Sequence, residues 1–541
     1  MVPDPVWYAV IIAGMAVSIL GLYVLARPNG RWVRLLRERL VYGVPWGTLV
    51  VTGAVAAFYL FGQSGLQDPS DPVVIPFIAW SYLYPTGMLT AGFAHGSLNH
   101  VTGNLLGTLV FGSLAEYAWS HYPPGKHGLQ RRSFRETPVG RIAVFVVGVL
   151  AVGVFSAVFG LGPVIGFSGV VFAFVGFAIV RFPIATVAAI LVSRVVRLVH
   201  DAFRTPELAV RAGETTFSRP GWAEIAIQGH ALGLFVGAAL GIALLYHRGV
   251  RPKPEHVYLA VLVFAVDRGL WAIYLVEGSE TFRLFRALGV AAVFLIAIIV
   301  AVGATASGRT AVSSIDLSRR EAAFGTLLVV VGVLSLIAVP LNLFVVDDPE
   351  AGVTETETVE VRDYTVFYAE DIDHQFIPAI SIPGAEEATP VNASGVIVVS
   401  EQRNIWWQQV SSNRLRVDGE ATVRLGGVGW SETVAVTRTT WRVTGGNETY
   451  DVRLGAEDDR RIVFTSDAQT ADAHVDGRNI SVDPTADGFE VVVRNETAVE
   501  RSGMPEDGEA VELAGVTLER SDRVLFAERG DTRFRVAQRS E

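Results

Sequence analysis

The chain has 541 residues, of which 50% are hydrophobic and 18% are charged, and its net charge is −10. A water-soluble domain usually carries about 25% charged residues, so this composition excludes a soluble cytosolic enzyme, a collagen and a disordered tail. The charge is unevenly placed: residues 1–346 carry +9, whereas residues 347–541 carry 38 acidic side chains against 19 arginines. We therefore expect a basic, apolar membrane body followed by an acidic, polar domain.

Cysteine is absent, and lysine occurs only at positions 126 and 253, against 42 arginines. The lack of cysteine excludes disulfides, thiolate metal sites and a cysteine nucleophile. An acidic exposed domain almost without lysine is typical of salt-loving microbes, and we expect a halophilic archaeon as the source. A GC-rich genome is the alternative explanation, because it also replaces lysine by arginine.

Apolar segments long enough to cross a bilayer recur through the first part of the chain. They predict ten helices, near residues 6–26, 44–61, 96–118, 141–160, 168–180, 182–199, 222–246, 256–276, 284–304 and 322–346. The first lacks a basic n-region and a small-residue cleavage site, so we expect it to be a retained span and not a removed signal peptide.

Basic residues in the loops predict the orientation in the membrane. They cluster after the first, third, seventh and ninth helices, and placing all four clusters in the cytoplasm puts the N-terminus and the C-terminal domain outside. The exterior loop over 200–221 fits this arrangement less well, because it carries Arg204, Arg211 and Arg219. All four Asn-X-Ser/Thr sequons lie in the C-terminal domain, where glycosylation would require an exterior position: Asn392, Asn447, Asn479 and Asn495.

The segment 347–541 contains short alternating runs, such as Ala421–Leu425, Thr433–Thr437 and Val491–Arg494. Gly and Asp turns separate them, which is typical of an antiparallel sandwich or barrel. We find no catalytic constellation in this domain. Trp406 and Trp407 could form a binding surface, although buried tryptophans are the preferred interpretation.

Polar groups inside a membrane are costly, so each of them needs a reason. The third helix opens with His95-Gly-Ser-Leu-Asn-His100-Val-Thr-Gly-Asn104. At 100° per residue, His100 and Asn104 share one face of the helix, whereas His95 points elsewhere. The fifth helix begins with Gly166-Phe-Ser168-Gly169.

The seventh helix carries His230 within a stripe of glycines at four-residue intervals, which lets another backbone approach closely: Gly229, Gly233, Gly237 and Gly241. Counting ~1.5 Å per residue through a core ~30 Å thick places Ser168, His230 and Asn104 at one depth, roughly 10 Å beneath the outer surface. Three separate helices therefore bring these side chains to the same level.

A serine beside a histidine is an activated nucleophile, because the imidazole accepts the hydroxyl proton and later protonates the leaving group. The oxyanion that forms needs hydrogen-bond donors, and the Asn104 amide, the His100 ring and the backbone N–H of Ser168 are suited to this role. No carboxylate is evidently placed to orient His230, so we expect a dyad of Ser168 and His230. Hydrolysis also requires a polar cavity that is open to the exterior.

The motifs His-x4-His-x3-Asn, Gly-x-Ser-Gly and Gly-His-x2-Gly-x3-Gly, in this order on alternate helices, resemble those of the rhomboid family of intramembrane serine proteases. The resemblance covers roughly residues 44–246 as a six-helix core. It implies that Ser168 is the nucleophile and His230 its base, and that His100 and Asn104 stabilise the oxyanion. It gives supporting roles to the following residues: His95, Gly166, Gly169, Phe172, Gly233 and Gly237.

The chain departs from the family pattern in the loop before His95, where Trp80 lacks the usual adjacent arginine, and at Phe172, where many rhomboids have tyrosine. It also has additions that the resemblance does not explain. The predicted fold is a polytopic α-helical membrane protein with a C-terminal all-β exterior domain. Its parts are an extra helix and basic loop (1–43), the core (44–246), three further helices (247–346) and the C-terminal domain (347–541).

The predicted function is an intramembrane serine endopeptidase in the cell membrane, whose substrates are single-span membrane proteins with small or helix-breaking residues at the cut. No metal, nucleotide, other cofactor or nucleic acid is implied, and the C-terminal domain could bind another envelope protein. The alternative is a non-proteolytic scaffold or transporter whose exterior domain binds a ligand. Two further polar features are interpreted structurally: Asp267-Arg268 as an ion pair or a break in the eighth helix, and Glu224 as a solvated side chain.

Overall fold

A computed structural model describes residues 4–26, 30–122, 133–202, 226–276, 282–306, 310–312, 317–346, 358–373, 375–378, 392–472 and 474–540. A helical body comes first and a β-rich domain comes second. The helices are α1 (Asp4–Ala26), α2 (Arg31–Arg37), α3 (Trp46–Ala57), α4 (Pro85–Thr90), α5 (Leu98–Gly107), α6 (Ser113–Trp119), α7 (Pro138–Val158), α8 (Ser168–Arg181), α9 (Pro183–Ala202), α10 (Ile227–Arg248), α11 (Pro254–Asp267), α12 (Arg286–Thr305), α13 (Arg319–Leu341) and α14 (Ser412–Asp418).

The helical body has the composition of a multi-pass membrane protein. Four described helices, α7, α10, α12 and α13, are long and apolar enough to cross a bilayer, and shorter apolar helices include Trp46–Gly62 and α8. Helix α8 lies at the centre, because nearly every side chain from Gly169 to Val180 is buried. A helix that is apolar on all sides is typical of a protein core or of a membrane span.

Two helices end differently from the prediction. The helix expected over 256–276 ends at Asp267, so α11 has 14 residues and rises only about 21 Å. The charges of Asp267 and Arg268 and the left-handed Gly269 (φ 70°) end it there. The next element is a short hairpin of β1 (Tyr274–Val276) and β2 (Phe282–Leu284). The helix expected over 322–346 ends at Leu341, just after Pro340.

The remaining strands are β3 (Thr310–Val312), β4 (Leu317–Ser318), β5 (Phe344–Val346), β6 (Val359–Val361), β7 (Tyr364–Ile372), β8 (Phe376–Pro378), β9 (Ala393–Ser400), β10 (Ile405–Ser411), β11 (Glu420–Gly427), β12 (Trp430–Val443), β13 (Glu448–Ala456), β14 (Asp459–Thr465), β15 (Gln469–Thr470), β16 (Asn479–Thr485), β17 (Gly488–Arg494), β18 (Val499–Gly503), β19 (Ala510–Leu513), β20 (Val516–Ser521), β21 (Val524–Arg529) and β22 (Thr532–Arg539). The three alternating runs singled out in the sequence all lie in strands, within β11, β12 and β17.

The C-terminal domain consists of two antiparallel sandwiches with separate cores. In the first, the sheet β10-β9-β7-β6 packs against β11 to β14, and in the second, the sheet β15-β16-β17-β18 packs against β19 to β22. Strand β12, with 14 residues, belongs to both. The domain is not entirely β, because it also contains the short helix α14. Trp406 is fully buried, in agreement with the structural interpretation of this tryptophan.

The C-terminal domain packs directly on the segment between α3 and α4, residues 63–84, which we call the docking loop. Ile75, Trp80 and Tyr84 belong to the hydrophobic core of the first sandwich. Trp80 is fully buried, its Nε1 donates to the carbonyl of Ile75 at 2.7 Å, and its ring lies 5.1 Å from the ring of Trp407. Trp80 therefore packs against the first sandwich of the C-terminal domain.

Polar contacts reinforce the docking at both ends of the loop. Arg424 pairs with Asp68 at 3.5 Å. Arg403 pairs with Asp363 at 2.5 Å, and its Nη1 donates to the hydroxyl of Tyr84 at 3.3 Å. The Arg403 guanidinium lowers the pKa of the Asp363 carboxyl. The C-terminal domain and the docking loop therefore form one continuous unit with the helical body.

Of the four sequon asparagines, Asn392, Asn447 and Asn479 are exposed and Asn495 is partly buried. Oδ1 of Asn495 accepts from the backbone of Thr497 and Ala498 at 2.9 and 2.7 Å, which caps a turn. Glycosylation stays a prediction at all four positions. Glu224 and the three arginines of the exterior loop predicted over 200–221 lie outside the described residues.

Candidate active site

Ser168 is the first residue of α8 and His230 lies in the first turn of α10. Oγ of Ser168 and Nε2 of His230 are 2.7 Å apart. Among the described residues, Nδ1 of His230 has no hydrogen-bond partner, so the described part of the site contains a pair and no orienting carboxylate. An imidazole in this position can accept the proton of the serine hydroxyl.

The glycine stripe of α10 makes this short distance possible. A Cβ built on Gly233 would collide with the backbone of Gly169, and one on Gly237 would collide with the backbone of Ala173. Any side chain at these two positions would therefore push α10 away from α8 and separate His230 from Ser168. Gly229 faces open space instead, so it leaves the site accessible.

Phe172 holds the histidine ring from one side. Its ring lies 4.2 Å from the ring of His230 at an interplanar angle of 12°, which is a stacked arrangement. Phe264 of α11 in turn packs edge-on against Phe172 at 5.0 Å. The first of the three added helices thus supports the histidine through one intermediate ring.

Asn104 and His100 face the same site from α5. Nδ2 of Asn104 is buried and has no hydrogen-bond partner among the described residues. A Cβ built on Gly166 would lie only 2.7 Å from the ring of His100 and 3.8 Å from Nδ2 of Asn104, and Gly166 has φ 124°, so a side chain is excluded there on two grounds. An unpaired buried donor is expensive to maintain and suits a site where negative charge develops during a reaction.

His95 lies closer to this site than the sequence predicts. The sequence pattern includes it in a helix and turns it away, but α5 begins at Leu98, so helical periodicity does not apply at position 95. Its ring lies 5.0 Å from the ring of His100, and its Nε2 accepts from the backbone N–H of Phe167 at 3.4 Å. His95 therefore links α5 to the turn before Ser168.

Gln63, which the sequence reasoning missed, fixes the backbone of His95. Its Oε1 accepts from the N–H of His95 at 2.8 Å, and its Nε2 donates to the carbonyls of His95 and Val73 at 2.9 Å each. The side chain is fully buried. A lone glutamine at the end of an apolar helix is the signal that could have revealed it, because such an amide needs partners.

Two small cavities adjoin Ser168. One, of about 30 Å³, is also lined by Gly229 and His230, and it exceeds the ~10–15 Å³ that one water molecule needs. The other, of about 50 Å³, is also lined by Asn104, Arg197 and Arg268. Arg268 pairs with its neighbour Asp267 at 3.2 Å, in agreement with the structural interpretation of these two residues. It also brings a positive charge from the end of α11 to the wall of the cavity next to the serine.

The turn between α7 and α8 is held by the last helix of the membrane body. Oδ1 of Asn342 accepts from the N–H of Gly162 at 3.1 Å, and its Nδ2 donates to the carbonyl of Gly160 at 2.5 Å. Gln228 bridges the carbonyls of Phe159 and Leu334 at 2.9 Å each. The turn that leads to Gly166 and Ser168 is therefore tied to α13 as well as to α10.

These features define a multi-pass membrane protein with a serine–histidine pair enclosed by its helices. Residues 83–247 match the family model described as Rhomboid domain. The chain therefore contains a rhomboid domain, and the matched segment includes α4 to α10. No curated protein and no solved structure matches the chain.

Proposed function

We propose that the protein is a membrane-embedded serine endopeptidase that hydrolyses peptide bonds in or near the transmembrane helices of its substrates. The observation that carries this proposal is the 2.7 Å distance between Oγ of Ser168 and Nε2 of His230, within a rhomboid domain. Rhomboids are mostly serine proteases, but the family includes inactive members. Those usually lose the serine or the histidine, whereas this chain keeps both.

In the proposed reaction, Nε2 of His230 accepts the hydroxyl proton of Ser168 while Oγ attacks the carbonyl carbon of the substrate. The peptide C–N bond then breaks, His230 gives the proton to the leaving amine, and the substrate carbonyl remains bound to Ser168 as an ester. His230 next deprotonates a water molecule, whose oxygen attacks the ester carbon. The bond to Oγ then breaks, His230 returns the proton to Oγ, and the carboxylic acid product and the free serine are released. The cavity of about 30 Å³ beside both side chains offers room for this water.

The negative charge of each tetrahedral intermediate would be stabilised by Nδ2 of Asn104, the ring of His100 and the backbone N–H of Ser168. Nδ2 of Asn104 is unpaired within the described part of the chain, which supports this role because no hydrogen bond to those residues has to break when the oxyanion forms. Removing one such donor typically lowers kcat by about 10²–10³-fold.

We further propose that the N-terminus and the C-terminal domain lie outside the cell, and that single-span substrates enter sideways between the core helices. The contact of the C-terminal domain with the docking loop, which precedes His95, supports the view that this domain and the entrance to the site share one side of the membrane. A regular helix shields its peptide bonds, so the preferred substrates should have small or helix-breaking residues at the cut.

The test is cleavage of a tagged single-span substrate in lipid vesicles at high salt by the native protein, Ser168→Ala and His230→Ala. Ser113→Ala is the matched control, because Ser113 is the first residue of α6, its Oγ donates to the carbonyl of Leu109, and it lines neither cavity beside Ser168. We expect cleavage by the native protein and the control alone. Cleavage that survives Ser168→Ala would refute the mechanism.

A fluorophosphonate probe provides a second readout, because it labels an activated serine and leaves an ordinary one unmodified. We expect labelling at Ser168 that disappears in His230→Ala. If the native protein neither cleaves the substrate nor reacts with the probe, the non-proteolytic scaffold or transporter becomes the better account of the chain.

A further inference from the structure

The C-terminal domain contains a polar cleft of about 510 Å³ between its two sandwiches. Its lining residues come from β12, β13, β14, β20 and β22, which belong to one sheet, and from β17 of the other sheet of the second sandwich. We call it the arginine cleft, after the four arginines that line it: Arg453, Arg460, Arg520 and Arg539. Neither the serine–histidine pair nor the docking contact uses these residues.

The two-residue period of β12 explains how the cleft arises. Val434 and Val436 are buried in the first core, whereas Trp441 and Val443 are buried in the second. Since neighbouring side chains of a strand point to opposite faces, the strand changes partner core along its length. Thr437 lies on the face that leads to the second core, at the point where the two sandwiches separate, and it lines the cleft.

Of the four arginines of the cleft, only Arg453 is in a salt bridge with a carboxylate among the described residues. Among the described residues, Arg520 donates only to the backbone carbonyls of Asp522 and Pro505, at 3.0 and 3.4 Å, and lies 5.6 Å from the ring of Trp441. Burial and the nearby charge of Arg520 lower the pKa of Arg539. Keeping like charges together costs stability. Residues 347–541 contain 38 acidic side chains that could have paired with these arginines, so the cluster calls for an explanation.

Buried polar groups without partners also lie beside the cleft. Arg453 pairs with the fully buried Asp451 at 3.0 Å. Its Nε and the Oδ1 of Asp451 are both buried and lack partners within the described part of the chain. A Cβ built on Gly488 would lie 3.8 Å from Nη2 of Arg453. Because Gly488 has no side chain, it leaves the guanidinium group of Arg453 uncovered. Buried polar groups without partners are rare in folded proteins and call for an explanation.

We propose that the arginine cleft binds an acidic polypeptide segment from the exterior part of a partner membrane protein. The planar guanidinium groups suit bidentate contacts with carboxylates, and Trp441 and Phe489 offer aromatic surface for the peptide chain. Glu457 and Asp458 on the cleft wall are acceptors for peptide N–H groups, which a compact anion such as phosphate does not have. This binding does not depend on the proposed peptidase activity.

The test is fluorescence anisotropy with the full-length protein in nanodiscs and a labelled peptide of alternating Glu and Gly, at the lowest salt at which the protein stays folded. A peptide with Gln in place of Glu is the matched ligand control. The double variant Arg520→Gln/Arg539→Gln removes two arginines that have no carboxylate partner among the described residues. Arg416→Gln is the matched protein control, because Arg416 is exposed on α14, outside the cleft.

We expect the Glu peptide to bind and the Gln peptide not to bind. Charge-assisted hydrogen bonds contribute enough that the double variant should weaken binding about tenfold or more, while Arg416→Gln binds like the native protein. An unchanged melting temperature shows that the double variant is folded. Equal binding of both peptides, or full binding by the double variant, would overturn the proposal.

Two further outcomes would reassign the cleft. Tighter binding of inorganic phosphate or of a uronic-acid oligosaccharide, lost in the same double variant, would identify a non-peptide anion as the ligand. Self-association of the protein without added peptide, also lost in the double variant, would identify a second copy of this chain as the partner. Either result contradicts the proposed occupant.

Discussion

Replacing Trp80 by alanine measures how strongly the C-terminal domain holds the docking loop. Trp80 is fully buried, its Nε1 donates to the carbonyl of Ile75, and its ring lies 5.1 Å from that of Trp407. Truncating a buried tryptophan costs about 3–5 kcal/mol. A free energy of about 1.4 kcal/mol corresponds to a factor of ten, so the loop should open roughly 100 to 4,000 times more often.

Amide hydrogen exchange detected by mass spectrometry reads this opening directly, because exchange reports local unfolding free energies. We expect faster exchange in peptides from the docking loop, while peptides from α12 and from the second sandwich keep the native rate. Trp80→Phe is the matched variant: it keeps an aromatic ring and loses the 2.7 Å hydrogen bond to Ile75, so its effect should be smaller.

A double-mutant cycle with Trp407→Ala isolates the contact between the two rings. Residues in contact usually show non-additive effects, and aromatic pairs couple by about 0.5–1.5 kcal/mol. Additive effects of Trp80→Ala and Trp407→Ala, or unchanged exchange in the docking loop of Trp80→Ala, would refute the docking described above.

Three further predictions concern single side chains. Asn104→Ala should lower kcat for Ser168-dependent cleavage by about 10²–10³-fold without changing the melting temperature, and a loss of stability instead would indicate a structural role. Arg403 lowers the pKa of Asp363, so the ion pair stabilises the docked state above the unfolded-state pKa of about 3.9, and this stabilisation is lost as the pH falls through the folded-state pKa of Asp363. Hydrogen exchange in the docking loop should therefore rise below about pH 4. Asp363→Asn should remove this rise. Glu116→Ala should reduce the free energy of unfolding by about 3–5 kcal/mol, the cost of breaking a buried ion pair. The fully buried Glu116 pairs with a histidine at 2.6 Å and accepts hydrogen bonds from two backbone N–H groups of α3. Glu116→Gln should recover part of that loss.

The membrane body and the β-rich domain are predictable from the sequence because both produce periodic patterns. Apolar runs predict the helices, and alternating runs predict β11, β12 and β17. The depth argument brings Ser168, His230 and Asn104 to one level because it uses only the rise of a helix and the thickness of a bilayer. The structure places the first two in hydrogen-bond contact, while their catalytic roles stay predictions.

Features that depend on irregular backbone are not predictable in this way. The pattern assigns His95 to a helix that in fact begins three residues later, at Leu98, so the predicted direction of this side chain is wrong. Arg268 is predictable as one of a pair, but only the early end of α11 at Asp267 brings it to the cavity beside Ser168. Periodicity cannot reveal such contacts, because they depend on the residue at which a helix ends and on the path of the chain beyond it.

The parts of the chain outside the rhomboid match hold the two segments that lead into the candidate site. The C-terminal domain packs on the docking loop, which precedes His95, through Trp80. Helix α13 holds the turn before Ser168 through Asn342. A hydrogen-bond distance of 2.7 Å between a serine and a histidine on separate helices tolerates little displacement of either. Additions that fix both segments therefore serve the geometry of the pair, and disrupting either addition should change activity even where no residue near the serine is altered.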